Sequence, residues 1–96
     1  MKTYEVRILQ SAAHDLGRLD EPVAQRIVDR AEWLAANIGE VNPEPLSGNL
    51  AGLFKLRVGD YRVIYEILRN ESIILIHMVG HRSGIYRKAR KGSRRK

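Results

Sequence analysis

Six residues in the second half of the chain carry side chains suited to phosphodiester chemistry: Lys55, Arg57, Arg62, His81, Arg82 and Tyr86. Four are cations, and cations gathered around a phosphodiester stabilise the charge that grows on its equatorial oxygens in the transition state. RNA brings its own nucleophile, the 2′-hydroxyl. A protein acting on it needs a base, an acid and positive charge, and no cofactor. Imidazole titrates near neutrality, so His81 is a candidate acid or base. Tyr86 is a candidate base if nearby cations favour its phenolate, and otherwise it orients the scissile group or stacks on a base. Each residue also has an ordinary reading. The cations of a hairpin can be a solvated outer face, Tyr86 an aromatic plug at a sheet edge, and Arg82 a surface ion-pair partner of Glu66 or Asp60. A metal site is not expected. His77 and His81 have the i,i+4 spacing of a helical pair, but they fall in a strand, and the chain has no cysteine.

The elements that must position these residues follow from periodicity. Leu53 to Tyr65 reads as a β-hairpin, with Gly59-Asp60 as its two-residue loop. Side chains alternate faces along a strand, so Phe54, Leu56 and Val58 share one side and Lys55 and Arg57 the other. With that loop Val58 lies opposite Tyr61 and Arg57 opposite Arg62. Two like charges directly opposed are destabilising, and a phosphate ligand is one reason to keep them. Ile64 to Leu68 continues the strand, Arg69-Asn70-Glu71 turns, and Ser72 to Val79 forms a last strand. Its Ile73-Ile74-Leu75-Ile76 run is apolar on both faces, as in an interior strand. A turn at Asn70-Glu71 sets Ile64 against His77 and Arg62 against Val79, and brings His81 to the face of Arg62. Gly80 is expected to end the strand.

Upstream, Thr3 to Leu9 alternates as a first strand. Ser11 is a candidate N-cap for a short helix from Ala12 to Leu19, with Leu16 and Leu19 inward and His14 and Asp15 in solvent. Asp20-Glu21-Pro22 opens a second helix running to about Ile38 and stopped by Gly39. Val23, Ile27, Ala31, Leu34 and Ile38 form its apolar stripe, and Trp33 is expected to pack on a neighbouring element. Glu40 to Ala51 reads as a loop, because Pro43 and Pro45 bar regular structure, with Leu46 and Leu50 pinning it to the core. The fold class is α+β, in the order β-α-α-β-β-β. Two N-terminal helices pack on a small, mainly antiparallel four-stranded sheet.

Ninety-six residues suit one domain. The N-terminus lacks the apolar segment of a signal peptide, and no apolar run reaches the length of a membrane span. With no cysteines, a cytoplasmic setting is expected. Of the 17 lysines and arginines, seven fall in residues 87–96, and the other ten nearly balance the 11 acids. The chain therefore divides into a nearly neutral domain, residues 1–86, and a basic C-terminal tail, residues 87–96. Such a tail adds salt-sensitive, sequence-independent attraction to a polyanion.

The segments Leu46-Ser47-Gly48-Asn49 and Phe54 to Tyr65, followed by His81-Arg82 and Ile85-Tyr86, resemble the RelE/ParE superfamily of toxins of type II toxin–antitoxin modules. The resemblance covers nearly the whole chain. In the RelE-like branch it implies a ribosome-dependent mRNA endonuclease that acts by 2′-hydroxyl attack without metal and so inhibits translation. It assigns Lys55, Arg57 and Arg62 to binding and neutralising phosphate, Arg62 within the catalytic group, with Arg82 stabilising the transition state or assisting the leaving group and Tyr86 positioning RNA or acting as base. His81 joins that catalytic group as a candidate acid or base on its own chemistry. Where the family carries a lysine this chain has Arg57, which keeps the charge but carries protons poorly. The implied partners are a cognate antitoxin, the ribosome with its mRNA, and operator DNA through the antitoxin complex. An apolar face holding Ile64, Leu68, Ile73 and Leu75 is a surface such an antitoxin could cover. The ParE-like branch, which inhibits DNA gyrase, shares the hairpin. A non-catalytic nucleic-acid-binding module using the tail is a third reading.

Overall fold

The computed structural model of the chain describes residues 3–94. Strand β1 (Glu5–Ile8) leads into helices α1 (Gln10–Gly17) and α2 (Glu21–Ala36). Then come a 3-10 turn at Ile38–Glu40, strand β2 (Glu44–Pro45) and a second 3-10 turn at Gly48–Leu50. Strands β3 (Phe54–Val58), β4 (Tyr61–Leu68) and β5 (Ile73–His81) and helix α3 (Ile85–Arg94) complete the chain. The α+β class stands, but the sheet has five strands in the order β1-β5-β4-β3-β2 rather than four. It is mixed, because β1 runs parallel to β5 while the other pairs are antiparallel.

Two corrections follow from edge chemistry. The stretch expected to be a loop supplies β2, with Pro45 opposite Phe54 and Glu44 opposite Lys55. Proline lacks a ladder donor, but an edge strand needs only one side paired, so Pro45 is tolerated there. Among the described residues the helices are also three, not two. α3 begins at Ile85, and the expected division at residue 86 falls inside it.

The hairpin forms as its sequence dictates. Arg57 pairs with Arg62 and Val58 with Tyr61. Gly59 takes φ +60° while Asp60 stays at negative φ, the pattern of a type II′ turn. Alternation then sorts the strands. One face carries Leu56, Val58, Val63, Tyr65, Ile74, Ile76 and Val79, which pack with Ala12, Ile27, Ala31, Leu34 and Ala35 of α1 and α2 into the main core. The other face carries Lys55, Arg57, Arg62 and Ile64.

The β4–β5 register follows expectation from Leu68↔Ile73 to Tyr65↔Ile76. A bulge then adds His77 as an extra residue, so Ile64 meets Met78, Arg62 meets Gly80, and Tyr61 meets His81. One inserted residue reverses every later side chain. His81 is therefore opposite Tyr61, not on the face of Arg62, and the strand runs through Gly80 to end at His81.

Beyond Ile76 the edge of β5 has no strand beside it, and α1 supplies the partners. The Ser11 hydroxyl donates to the carbonyl of His77 (2.9 Å), so Ser11 lies inside the helix as an edge ligand rather than capping it. The N–H of Val79 donates to Asp15 Oδ2 (3.0 Å). Asp15, expected in solvent, is only 7 % exposed.

Candidate functional site

Helix α3 crosses the second face of the sheet and covers part of it. Ile85 and Ala89, one helical turn apart, are buried along with Ile64 and Leu50. Gly80 makes the seat, since a Cβ there would lie 2.8 Å from Ile85 Cδ1. Ile64 is therefore 0 % exposed. The expected apolar patch for a partner is in part already covered, and Leu68, Ile73 and Leu75 are half-buried. At the β5 edge Lys88 of α3 reaches Asp15 Oδ1 at 2.5 Å. Asp15 thus joins α1, the β5 backbone and α3 through two oxygens, which fixes where α3 lies.

That placement sets Tyr86 beside the cations of the hairpin. Lys55, Arg57, Arg62, His81, Arg82, Ser83 and Tyr86 line one open cleft of about 540 Å³. All six residues singled out in the sequence meet there. The Lys55 ammonium lies 5.6 Å from the centre of the Tyr86 ring, within cation–π range. The Tyr86 hydroxyl is buried without a hydrogen-bond partner among the described residues, which costs free energy, and it is the ring that lines the cleft.

Arg57 and Arg62 face each other without their charges meeting. Arg62 Nη1 donates to the carbonyls of Gly59 and Tyr61 (both 2.9 Å), which clamps the guanidinium over the turn. Arg57 Nε turns instead to Glu44 on β2, at 3.3 Å. Arg82 Nε lies 3.8 Å from the Asp60 carboxylate, and the Arg82 backbone N–H donates to the Asp60 carbonyl (2.8 Å). Glu66, the other partner considered for Arg82, meets His77 Nε2 at 2.9 Å. The exposed pairs of Arg57 and Arg82 are each worth under about 1 kcal/mol, so a phosphate can displace them.

The bulge leaves His81 opposite Tyr61, whose ring it meets edge-on at 5.5 Å, and it reaches the cleft from the strand end. The N–H of Ser83 donates to His81 Nδ1 (3.2 Å), with Ser83 Oγ 2.9 Å from the same nitrogen. That bond assigns the neutral ring its proton on Nε2. Among the described residues no group of three or more histidines, cysteines and acids is placed to hold a metal ion.

Ser83, Asp15 and Lys88 were missed in the sequence. Asp15 had a signal, since Ala12, Asp15, Leu16 and Leu19 form one inward helical stripe. Trp33 departs from expectation too, being 48 % exposed, with the Arg30 guanidinium 5.0 Å over its ring. Tyr65 is 1 % exposed, and burial, with the Glu44 carboxylate second, pushes its hydroxyl up to about 12.

Comparison with known proteins adds a lineage to this geometry. Residues 6–86 match the family model described as ParE toxin of type II toxin-antitoxin system, parDE. The chain is 37 % identical over 84 residues to Toxin RelE of Mycobacterium tuberculosis, covering 88 % of this chain and 87 % of that protein. It is 33 % identical over 91 residues to Toxin RelG of the same organism, covering 88 % and 98 %. The crystal structure of the toxin-antitoxin complex RelBE2 from M. tuberculosis superposes with a TM-score of 0.77 at 33 % identity, over 86 % of this chain and 95 % of that one.

Proposed function

The chain belongs to the RelE/ParE superfamily of toxins of type II toxin–antitoxin modules, and from that premise we propose that it is a metal-independent, ribosome-dependent mRNA endonuclease that arrests translation. What carries the reading is the single cleft that holds four cations, a histidine and a tyrosine. Lys55 and Arg57 bind the phosphates flanking the scissile bond. Arg62, held rigid on the turn carbonyls, and Arg82 neutralise the equatorial oxygens as the 2′-oxygen attacks. The Tyr86 ring, which lines the cleft beside Lys55, stacks on the nucleotide and so orients its attacking 2′-hydroxyl. As the 2′-oxygen–phosphorus bond forms, the hydroxyl proton leaves to solvent through the open cleft. For this step His81 takes up a second proton on Nδ1, which gives up the bond from the Ser83 N–H and donates to Ser83 Oγ instead, and its Nε2 proton passes to the 5′-oxygen as the phosphorus–5′-oxygen bond breaks. The products are a 2′,3′-cyclic phosphate and a 5′-hydroxyl.

The ribosome supplies the rest of the site by presenting mRNA in a fixed conformation, which suits a cleft this open. The basic residues after Tyr86 add salt-sensitive attraction to RNA. The toxin–antitoxin complex among its relatives supports a cognate antitoxin as partner. No helix of the described residues is long and apolar enough to cross a membrane, which fits action beside ribosomes.

The test is a translation extract with and without the protein. Cleavage of mRNA only when ribosomes engage it, lost in Arg82→Ala, supports the proposal. The family model, described as ParE, favours a second reading in which DNA gyrase is the target. Intact mRNA beside linearised, gyrase-bound plasmid identifies that activity instead.

A further inference from the structure

Building on the RNA-cleaving reading, we infer that the groove between α2 and β3 is a base-binding subsite that stacks a nucleobase of the flanking RNA on Trp33. The groove has a volume of about 390 Å³ and is lined by Arg30, Trp33, Pro43, Lys55, Arg57 and Tyr65, among others. Lys55 and Arg57 line both this groove and the cleft, so a strand whose phosphates they hold has one neighbouring nucleotide at each.

Trp33 is the most exposed large apolar side chain of the described residues, and α2 places it at the groove rather than in the core. Burying a tryptophan is worth more than burying most side chains, so its exposure beside cations calls for a flat partner. Every base has a π-face, and stacking on an aromatic ring does not depend on sequence. Arg30, three residues earlier on the same helix, lies over the indole and adds positive charge beside a phosphate.

Glu44 adds a base-recognition group. Its carboxylate lines the groove next to Arg57. It keeps phosphates toward Lys55 and Arg57, and it accepts hydrogen bonds from the exocyclic amine of a base. Tyr65 lines the groove as well, buried at its floor.

Trp33 is the only tryptophan in the chain, so intrinsic fluorescence reports on this position alone. The probes are fully 2′-O-methylated oligonucleotides of one to six nucleotides. They lack a free 2′-hydroxyl, and their binding is independent of cleavage. Fluorescence should quench progressively as length grows beyond the cleft. Trp33→Ala should weaken the hexamer about tenfold by anisotropy of a labelled strand, while Trp33→Phe keeps most of the affinity. Trp33→Ala alters an exposed residue, and circular dichroism checks its fold. The subsite is overturned if oligonucleotides bind through Lys55 and Arg57 with no change in fluorescence, or if Trp33→Ala binds as wild type. Quenching by polyglutamate but not by RNA overturns it too. If no oligonucleotide binds at all and programmed ribosomes keep their mRNA intact, the RNA reading itself fails.

Discussion

On one face of the sheet Val63, Tyr65, Ile74 and Val79 disappear under α1 and α2, while on the other Lys55, Arg57 and Arg62 remain at the surface beside a patch that α3 seals. Both faces come from the same alternation along β3, β4 and β5. The first is held by apolar burial, at about 25 cal/mol per Å², and needs no particular charge. The second keeps two arginines opposed across strands. It resolves the repulsion by drawing Arg57 toward Glu44 and Arg62 onto backbone carbonyls. The contrast teaches that stability and chemistry are assigned to opposite sides of one sheet, so substitutions should separate them.

The largest separation comes from a charge placed under the helices. Ile74→Asp should abolish cooperative unfolding by circular dichroism, since an unpaired buried carboxylate costs several kcal/mol of a total stability of roughly 5–15 kcal/mol. On the opposite face Arg82→Ala should leave the thermal midpoint nearly unchanged, because exposed positions shift stability by about 0.5 kcal/mol or less. Ribosome-dependent cleavage by the same variant should fall roughly 100-fold or more. An Arg82→Ala variant that lost stability along with activity would merge what the two faces separate.

The Asp15 bridge links the faces and should give an intermediate result. Asp15→Asn keeps an oxygen for the Val79 N–H but loses the charge that holds Lys88. We expect a stability loss of about 1–3 kcal/mol, faster amide exchange in α3, and weaker cleavage through misplacement of Tyr86. Unchanged exchange in α3 would show that the helix is held by Ile85 and Ala89 alone.

The smallest effect is a pH dependence on the core face. Tyr65 holds its proton to about 12 in the folded protein, against 10.0 ordinarily. The folded state therefore binds more protons than the unfolded chain between those values. Stability from this source is complete below pH 10 and declines as pH rises toward 12, by about 1 kcal/mol at pH 11. Tyr65→Phe should lose less stability over that interval in thermal melts, and equal losses would remove the effect.

The hairpin, its turn and the shared face of Lys55, Arg57 and Arg62 were legible because strand alternation and a Gly-Asp loop are local signals, while Arg82 and Tyr86 were joined to them by family resemblance. His81 was placed by alternation as well, but on the wrong face, because the bulge at His77 has no local sequence signal. It reaches the cleft only because the strand ends there. Strand β2 was hidden by its prolines, which an edge position tolerates. Helix α3 was hidden by its basic residues, which outnumber Ile85 and Ala89, its buried apolar positions among the described side chains. Asp15 was read by residue type, and the stripe it belongs to was the better guide.

The most direct measurement uses ribosomes programmed with an mRNA carrying one 2′-deoxynucleotide immediately 5′ of the bond cut in the unmodified message. Cleavage should vanish at that bond alone, with a 2′,3′-cyclic phosphate and a 5′-hydroxyl at the ends produced elsewhere. Undiminished cutting at the deoxy position would contradict the cleft's role as a site for 2′-hydroxyl attack.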